Sequence, residues 1–258
     1  MDVLLSKLRK MRKGWDYRLS PDGALLICLT SGSVHVYDAS SFEEKALFGG
    51  MQYAYRCQFS PNMRVITAKS AHSILHRFDL ASGEQLPRIS CGWRNRGQDY
   101  GFCHSPSGKH LINLAMKDSL LSQMQIYEAD TGRRLDVRFD GMPFVLEEIE
   151  YVPRQGRYLI TGYERMDMAG DNRYFALWYD LESGEYDRVN LHASAYHTLY
   201  LSRYKQFLRK EKFSVTLRGE DGSLCREIVR CDEQRPLYVQ ELFDMMVPKK
   251  LFNGEAVI

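Results

Sequence analysis

The chain has 258 residues, 44% of them hydrophobic and 26% charged, which are the proportions of a globular protein and exclude a largely disordered one. A formal net charge of +2, from 35 basic and 33 acidic residues, excludes a uniformly basic or strongly acidic protein. The longest apolar run, residues 24–29, is far too short to span a membrane, and the six cysteines form no CxxC pair, which favours a reducing, cytoplasmic setting.

A strand-like run that ends in a Ser-Pro or similar turn recurs along the chain. Its anchor residues are Ser20, Ser60, Ser105, Val152, Ser202 and Val247, at intervals of 40, 45, 47, 50 and 45 residues. Each anchor is followed by a short apolar strand, an alternating strand that ends in an aromatic–acid pair, a glycine turn and a fourth strand. The pairs are Tyr37-Asp38, Phe78-Asp79, Tyr127-Glu128 and Tyr179-Asp180, and the turn glycines are Gly83, Gly132, Gly184 and Gly222. Four short strands in each repeat of this length predict an all-β protein built from propeller blades.

The Ser-Pro-Asp-Gly turn at 20–23, the aromatic–acid pairs and the Asp-Leu-x-Ser-Gly-Glu turns at 79–84 and 180–185 resemble those of the WD-repeat-like β-propeller superfamily. The resemblance covers about residues 15–252 and implies a β-propeller. It also implies a protein that binds other molecules, because members of this superfamily are mostly interaction platforms and only a minority are enzymes. Tyr-Asp, Phe-Asp or Tyr-Glu stands here in place of the Trp-Asp pair.

The number of blades follows from the repeat spacing. Five complete repeats run from Ser20 to about Val229, and residues 242–247 and 251–257 supply two strands of another. We expect about six blades, the last closed by both termini with residues 2–8 as a closing strand, because closure removes open strand edges. The alternative is a five-bladed or incomplete propeller completed by a partner or by a larger parent protein. We expect residues 1–258 to form one β-propeller domain, with 1–14 as a basic N-terminal segment or closing strand.

Candidate binding residues lie on the long loops, because the loops after the second and fourth strands of each blade share one face. These residues are Trp93, Arg94, Arg96, Lys117, Glu164, Arg165 and Arg230. Trp93 between two arginines is the most distinctive feature, since tryptophan and arginine are enriched among residues that dominate binding energy. The alternative is a loop tryptophan that packs over the edge of a blade.

A second set of charged residues lies on the innermost strands, where we expect them to line the central channel or the clefts between blades. The set is Asp16, Arg18, Arg56, Glu148 and Glu150. As an active site, the carboxylates would serve as an acid/base pair for glycoside or lactone chemistry, and the arginines would orient an anionic substrate. We favour the alternative, which is ion pairs between blades and solvated channel lining. We assign no catalytic residue, and no metal site or cofactor motif is complete in the sequence.

Basic residues are concentrated in two segments. Residues 1–14 carry five basic residues against Asp2, and residues 203–212 carry five against Glu211. Nucleic acid or another polyanion is therefore a possible partner. The sequence favours a non-enzymatic, cytoplasmic interaction scaffold for a protein partner, without membrane insertion. The alternative is a propeller hydrolase or lactonase that acts at the mouth of the channel.

Overall fold

A computed structural model of the chain describes residues 16–71, 73–91, 101–116, 121–165, 172–191, 198–201, 204–210 and 214–230. The described residues form five four-stranded sheets, each with its strands in chain order. They divide into unit 1, Met1–Asn113 with Gln125–Asp136, and unit 2, Leu114–Met124 with Val137–Ile258. Within the described part of the chain, no helix is long and apolar enough to cross a membrane.

The strands of the first two sheets lie in unit 1, and the division between the units passes through the third sheet. The first sheet comprises β1 (Asp16–Leu19), β2 (Leu25–Leu29), β3 (Val34–Asp38) and β4 (Glu44–Phe48). The second comprises β5 (Ala54–Phe59), β6 (Val65–Ser70), β7 (Ile74–Asp79) and β8 (Gln85–Ser90). The third comprises β9 (Phe102–His104), β10 (His110–Met116), β11 (Ser122–Glu128) and β12 (Arg134–Arg138).

The last two sheets belong to unit 2. The fourth sheet comprises β13 (Val145–Val152), β14 (Arg157–Arg165), β15 (Asn172–Tyr179) and β16 (Tyr186–Leu191). The fifth comprises β17 (Thr198–Leu201), β18 (Gln206–Lys210), β19 (Ser214–Gly219) and β20 (Leu224–Arg230).

The core lies between neighbouring sheets, because the middle strands are largely buried on both faces. In unit 1 the buried side chains of the first and second sheets meet in one apolar group that includes Val36, Phe48, Ile66 and Phe78. The rings of Phe48 and Phe78 stack with centroids 5.0 Å apart. In unit 2 Trp178 of the fourth sheet packs edge to face on Tyr200 of the fifth at 4.8 Å. β-Branched and aromatic residues favour such doubly covered strands.

The Ser-Pro anchors form one recurring turn between the first and second strands. The Ser20 hydroxyl accepts a hydrogen bond from the amide of Leu25 at 2.8 Å, and the Ser60 and Ser105 hydroxyls bind the amides of Val65 and His110 at 2.9 Å each. The amide three residues after each anchor donates to the anchor's carbonyl group. The repeat predicted from these anchors is therefore a repeat of one turn structure.

The acids of the aromatic–acid pairs hold the turns between the third and fourth strands. The carboxylate oxygen Oδ1 of each acid accepts hydrogen bonds from the backbone amides of the second and third residues that follow it. The bonds join Asp38 to Ser40 and Ser41, Asp79 to Ala81 and Ser82, and Asp180 to Glu182 and Ser183. These bonds lower the pKa of each carboxyl group, led by the Ser40 hydroxyl at Asp38 and by the amides of Ser82 and Ser183 at the other two. These acids are thus structural residues.

The Ser-Pro turns differ at one position that demands a left-handed backbone. Gly23 and Gly108 have φ of 73° and 71° there, but Met63 stands at the equivalent position of the second sheet with φ of 58°. A residue with a side chain is strained in this region, by about 1–2 kcal/mol. We expect Met63→Gly to raise the free energy of unfolding by about 0.5 kcal/mol, once the greater freedom of glycine in the unfolded chain is subtracted.

Gly108→Ala is the matched control and should have the opposite effect. A Cβ at residue 108 would meet only Pro61 at 3.9 Å, so the expected loss of about 1 kcal/mol would come from the backbone conformation alone. Urea unfolding of both variants measures the two changes. Equal signs would contradict this account of the turn.

The described residues form five blades, not the six that the repeat spacing favours, and they agree with the five-bladed alternative. Each of the five complete repeats forms one four-stranded sheet, from β1–β4 to β17–β20, so the described part of the chain contains no strand of a further blade. The segments expected to close a sixth blade, 2–8, 242–247 and 251–257, lie outside the described residues.

Candidate functional site

Every sheet has two ends that differ in the connections they carry. We call the end with the short turns after the first and third strands the turn end, and the opposite end the loop end. The turn end of unit 1 carries charged residues such as Asp22, Arg64, Glu84, Lys109 and Arg133. At the loop end of unit 1, residues 30–33, 49–53, 71 and 73 contain no Asp, Glu, Lys or Arg. Because turn-end carboxylates are occupied in holding the turns, the loop ends are the better place for a site.

Among the inner-strand residues, Asp16 and Arg18 come together in unit 1, and Arg56 precedes Cys57 on β5. The Asp16 side chain is fully buried and its Oδ2 atom accepts a hydrogen bond from the amide of Cys57 on β5 at 3.0 Å. Arg18 Nε lies 3.9 Å from the same oxygen. Asp16 therefore joins the first sheet to the second, and burial raises the pKa of the neighbouring Cys57 thiol well above its usual value.

A buried polar network holds the start of the loop that carries Trp93. The Gln125 side chain donates from Nε2 to the carbonyl oxygen of Cys91 at 3.0 Å, and its Oε1 accepts from Tyr127 Oη at 2.8 Å and Asn113 Nδ2 at 3.1 Å. Burial raises the pKa of the Cys91 thiol, and the ammonium group of buried Lys69 partly offsets this rise. β11 thus fixes the chain at the end of β8.

The second and third sheets also share a buried cationic contact that the sequence analysis missed. Arg77 is 1% exposed and donates to the carbonyl oxygens of Pro87, Ala129 and Asp130 at 2.6–3.1 Å. Nearby, Thr67 Oγ1 lies 3.1 Å from Nε2 of the buried His104. The pattern of a single strand gave no signal for this contact between sheets, because the carbonyl groups of Ala129 and Asp130 lie more than 50 residues further along the chain than Arg77.

In unit 2 Glu164 lies near the end of an extended hairpin. β14 has 9 residues and β15 has 8, and they pair continuously up to Arg165 opposite Asn172. Glu164 Oε1 accepts a hydrogen bond from Arg188 Nη1 at 2.6 Å, and this bond lowers the pKa of Glu164. The Arg188 guanidinium lies 4.6 Å above the ring of Phe175. The Glu164–Arg188 pair therefore ties the outer part of the hairpin to β16.

The other candidate residues are placed as follows. Glu148 and Glu150 are half-buried on β13, opposite Thr161 and Leu159 of β14. Arg230 ends β20 and binds both carboxylate oxygens of Glu227, at 2.9 and 3.0 Å. Arg165 ends β14. Outside the described residues lie Trp93, Arg94, Arg96, Lys117, segment 1–14, and residues 203, 211 and 212 of the second basic region.

No protein-family model matches the chain, and no curated protein matches it in sequence. Solved structures do match. A chain titled "Kuenenia stuttgartiensis Hydrazine Synthase" superposes with a TM-score of 0.62 at 16% identity, over 80% of this chain and 64% of that chain. "Dihydro-heme d1 dehydrogenase NirN in complex with DHE" superposes with a TM-score of 0.58 at 14% identity, over 84% of this chain and 46% of that chain. The fold is a β-propeller.

These similarities describe the fold alone. The chain spans less than two thirds of the hydrazine synthase chain and less than half of the NirN chain. In all, 1239 solved chains match, and a fold shared so widely does not define a chemical activity. The function must therefore be argued from the residues of this chain.

The described residues contain no group of three or more His, Cys, Asp or Glu side chains that could hold a metal ion. A shallow depression lies at the turn end of the first sheet, lined by Leu19, Gly23, Ala24, Asp38, Ala39 and Ser40. Its carboxylate, Asp38, already binds the backbone and hydroxyl groups of Ser40 and Ser41. The described groups at this depression thus serve to hold a turn.

Proposed function

We propose that this protein is a non-enzymatic scaffold that binds a protein partner through the loop ends of its sheets. The observation that carries the proposal is the β14–β15 hairpin. The first strand of this hairpin, β14, is the second strand of its sheet. It has 9 residues, against 5, 6, 7 and 5 for the equivalent strands β2, β6, β10 and β18. The extra residues lie at the loop end, and at about 3.3 Å per residue they lengthen the hairpin by about 7–13 Å. The relationship to WD-repeat-like propellers is part of the same proposal.

The chemistry of the carboxyl groups supports a binding role over catalysis. A general acid at neutral pH needs a raised pKa. The pKa is lowered in six described carboxyl groups, namely those of Asp22, Asp38, Asp79, Glu164, Asp180 and Asp221. Asp16 is buried against the Cys57 amide. These groups hold turns and strand contacts.

The test is affinity purification of the full chain from cells that express it, with quantitative mass spectrometry of what binds. One variant shortens the hairpin by replacing residues 164–173 with a two-residue turn, and another carries Trp93→Ala and Arg94→Ala. We expect each to lose one specific partner at least tenfold, the size of effect that removal of a central contact produces. The thermal midpoint should stay close to that of the wild type.

Glu182→Ala is the control, because Glu182 is exposed in a turn at the opposite end of the same sheet. This variant should bind every partner as the wild type does. Retention of all partners by both loop-end variants would refute the scaffold proposal.

A second candidate function is a hydrolase or lactonase, suggested by two half-buried carboxyl groups on one strand of the fourth sheet. Glu148 and Glu150 would supply its carboxylates, since both lie half-buried on β13. Turnover of a sugar or lactone by the wild type, abolished by Glu148→Gln or Glu150→Gln in a folded protein, would establish this function instead of the scaffold.

A further inference from the structure

Tyr53 combines two unfavourable features at the loop end of unit 1. Its side chain is 73% exposed, the largest exposure among the big hydrophobic residues of the described chain. Its backbone has φ of 51°, in the left-handed region that residues with side chains rarely occupy. An exposed aromatic ring adds nothing to the core, and glycine or asparagine would suit this backbone better. A strained position of this kind points to a functional demand on the side chain.

The backbone around Tyr53 is fixed by hydrogen bonds from neighbouring loops. The Tyr53 carbonyl oxygen accepts from the amide of Ala71 at 3.1 Å, and the next amide, that of Ala54, donates to the carbonyl oxygen of Ser31 at 3.0 Å. Two residues earlier, the buried Met51 donates to the carbonyl oxygen of Gly32 at 3.3 Å. The backbone that carries the ring is therefore fixed before binding, so the loop itself loses little conformational entropy when a partner binds.

The chemistry around this ring is neutral. Residues 30–33 and 49–53 have the sequences Thr-Ser-Gly-Ser and Gly-Gly-Met-Gln-Tyr, and the next loop contributes Ala71 and Ser73; none of these residues is an Asp, Glu, Lys or Arg. Tyrosine among serine and glycine is the composition of surfaces that bind proteins through one aromatic anchor and neutral hydrogen bonds. On the inner strand nearby, the Asp16 carboxylate already lies beside the Arg18 guanidinium. A charged partner would find no opposite charge on these loops.

We infer that Tyr53 is the anchor of a protein-binding surface formed by residues 30–33, 49–53, 71 and 73, and that this surface takes an uncharged segment of another protein. The inference rests on the proposed scaffold function and names the partner class for unit 1. The tyrosine ring enters an apolar pocket formed by the partner segment, and the loop hydroxyl and amide groups bind the segment's backbone. A polyanion is not the expected occupant, because the described residues of this surface include no Lys or Arg.

Selection of a phage-displayed library of random peptides on the immobilised full chain tests the inference. We expect a consensus of uncharged peptides whose affinity changes little between about 0.05 and 0.5 M salt, since neutral contacts are not screened. Tyr53→Gly should weaken the selected peptides at least tenfold, as expected for an aromatic anchor. The same variant should unfold at an equal or higher temperature, because it relieves the left-handed strain.

Two variants serve as controls. Met63→Gly makes the same backbone change at the turn end and should bind the peptides normally, and Tyr53→Phe keeps the ring and should retain binding within a few-fold. Equal binding by Tyr53→Gly, acidic peptides with steep salt dependence, or no consensus at all would each overturn the inference. Peptides that bind Tyr53→Gly but not the shortened β14–β15 hairpin would overturn it while leaving the scaffold proposal intact.

Discussion

Gly162→Ala is expected to destabilise unit 2 by about 3 kcal/mol, the upper part of the range for overpacking in a closely packed interior. Gly162 on β14 lies where the partner strand β13 carries a register shift between Leu146 and Glu148. A Cβ at residue 162 would lie far inside contact distance of the Val145 carbonyl oxygen, and 3.1 Å from the Phe175 ring. The Val145 oxygen belongs to the backbone, so the strain cannot be relieved by a change of rotamer.

The same substitution should also disturb the extended hairpin. The Phe175 ring that covers Gly162 also supports the Arg188 guanidinium, which binds Glu164. Displacement of Phe175 should therefore also displace Arg188 and weaken its ion pair with Glu164. Partner binding should weaken along with stability.

Urea unfolding followed by tryptophan fluorescence measures the effect, because Trp178 is buried in the same sheet. Gly49→Ala is the control: no atom lies within 4 Å of the position of its Cβ. That variant should unfold at the wild-type midpoint or slightly above it, since alanine restricts the unfolded chain. A midpoint for Gly162→Ala equal to that of Gly49→Ala would contradict the close-contact argument.

The sequence predicted the blades because their turns depend on local chemistry. The Ser-Pro anchors at 20, 60 and 105 placed the ends of the first strands, and the structure ends β1 at Leu19, β5 at Phe59 and β9 at His104. The glycines of the turns at 83, 132, 184 and 222 all have positive φ. Phe42 and Met63 take left-handed positions without a glycine, and no pattern announces such an exception.

The candidate site was less accessible to sequence reasoning, because its contacts join residues far apart in the chain. Glu164 was selected as a loop residue, but it lies within β14 and binds Arg188, 24 residues later. Asp16 was selected as a channel residue, and its bond to Cys57 spans 41 residues. Tyr53 escaped notice, although the two glycines before it are a signal of an exposed loop. Periodicity identifies a strand and its faces, but not the partner of a particular side chain.

The stability of unit 1 should fall as the pH falls from about 6.5 to about 4, because two histidines are buried in their neutral form. Burial lowers the pKa of His104 to about 4, and the positive charge of Arg77 adds to the effect. Burial likewise lowers the pKa of His76 to about 4, with a further contribution from Arg88. In the unfolded chain both groups take up a proton near pH 6.5.

The sign follows from proton binding. Between these two pKa values the unfolded state binds more protons than the folded state, so each unit of acidification favours unfolding. Above about pH 6.5 the histidines are neutral in both the folded and the unfolded state, so they add no pH dependence to the stability. Below about pH 4 they are protonated in both states, so the loss of stability levels off. One pKa unit is worth about 1.4 kcal/mol, so the fully buried His104 should account for a loss of about 3 kcal/mol over this window.

His104→Gln should remove that part of the pH dependence, because glutamine keeps a polar group near Thr67 but does not titrate. Thr67→Ser is the matched control, since it keeps both His104 and the hydroxyl group 3.1 Å from its Nε2 atom. Free energies of unfolding measured in urea at several pH values should give a flatter profile for His104→Gln between pH 6.5 and 4. Thr67→Ser should keep the full slope even if its stability is lower throughout. An unchanged slope in His104→Gln would show that the proton taken up on unfolding belongs to another group.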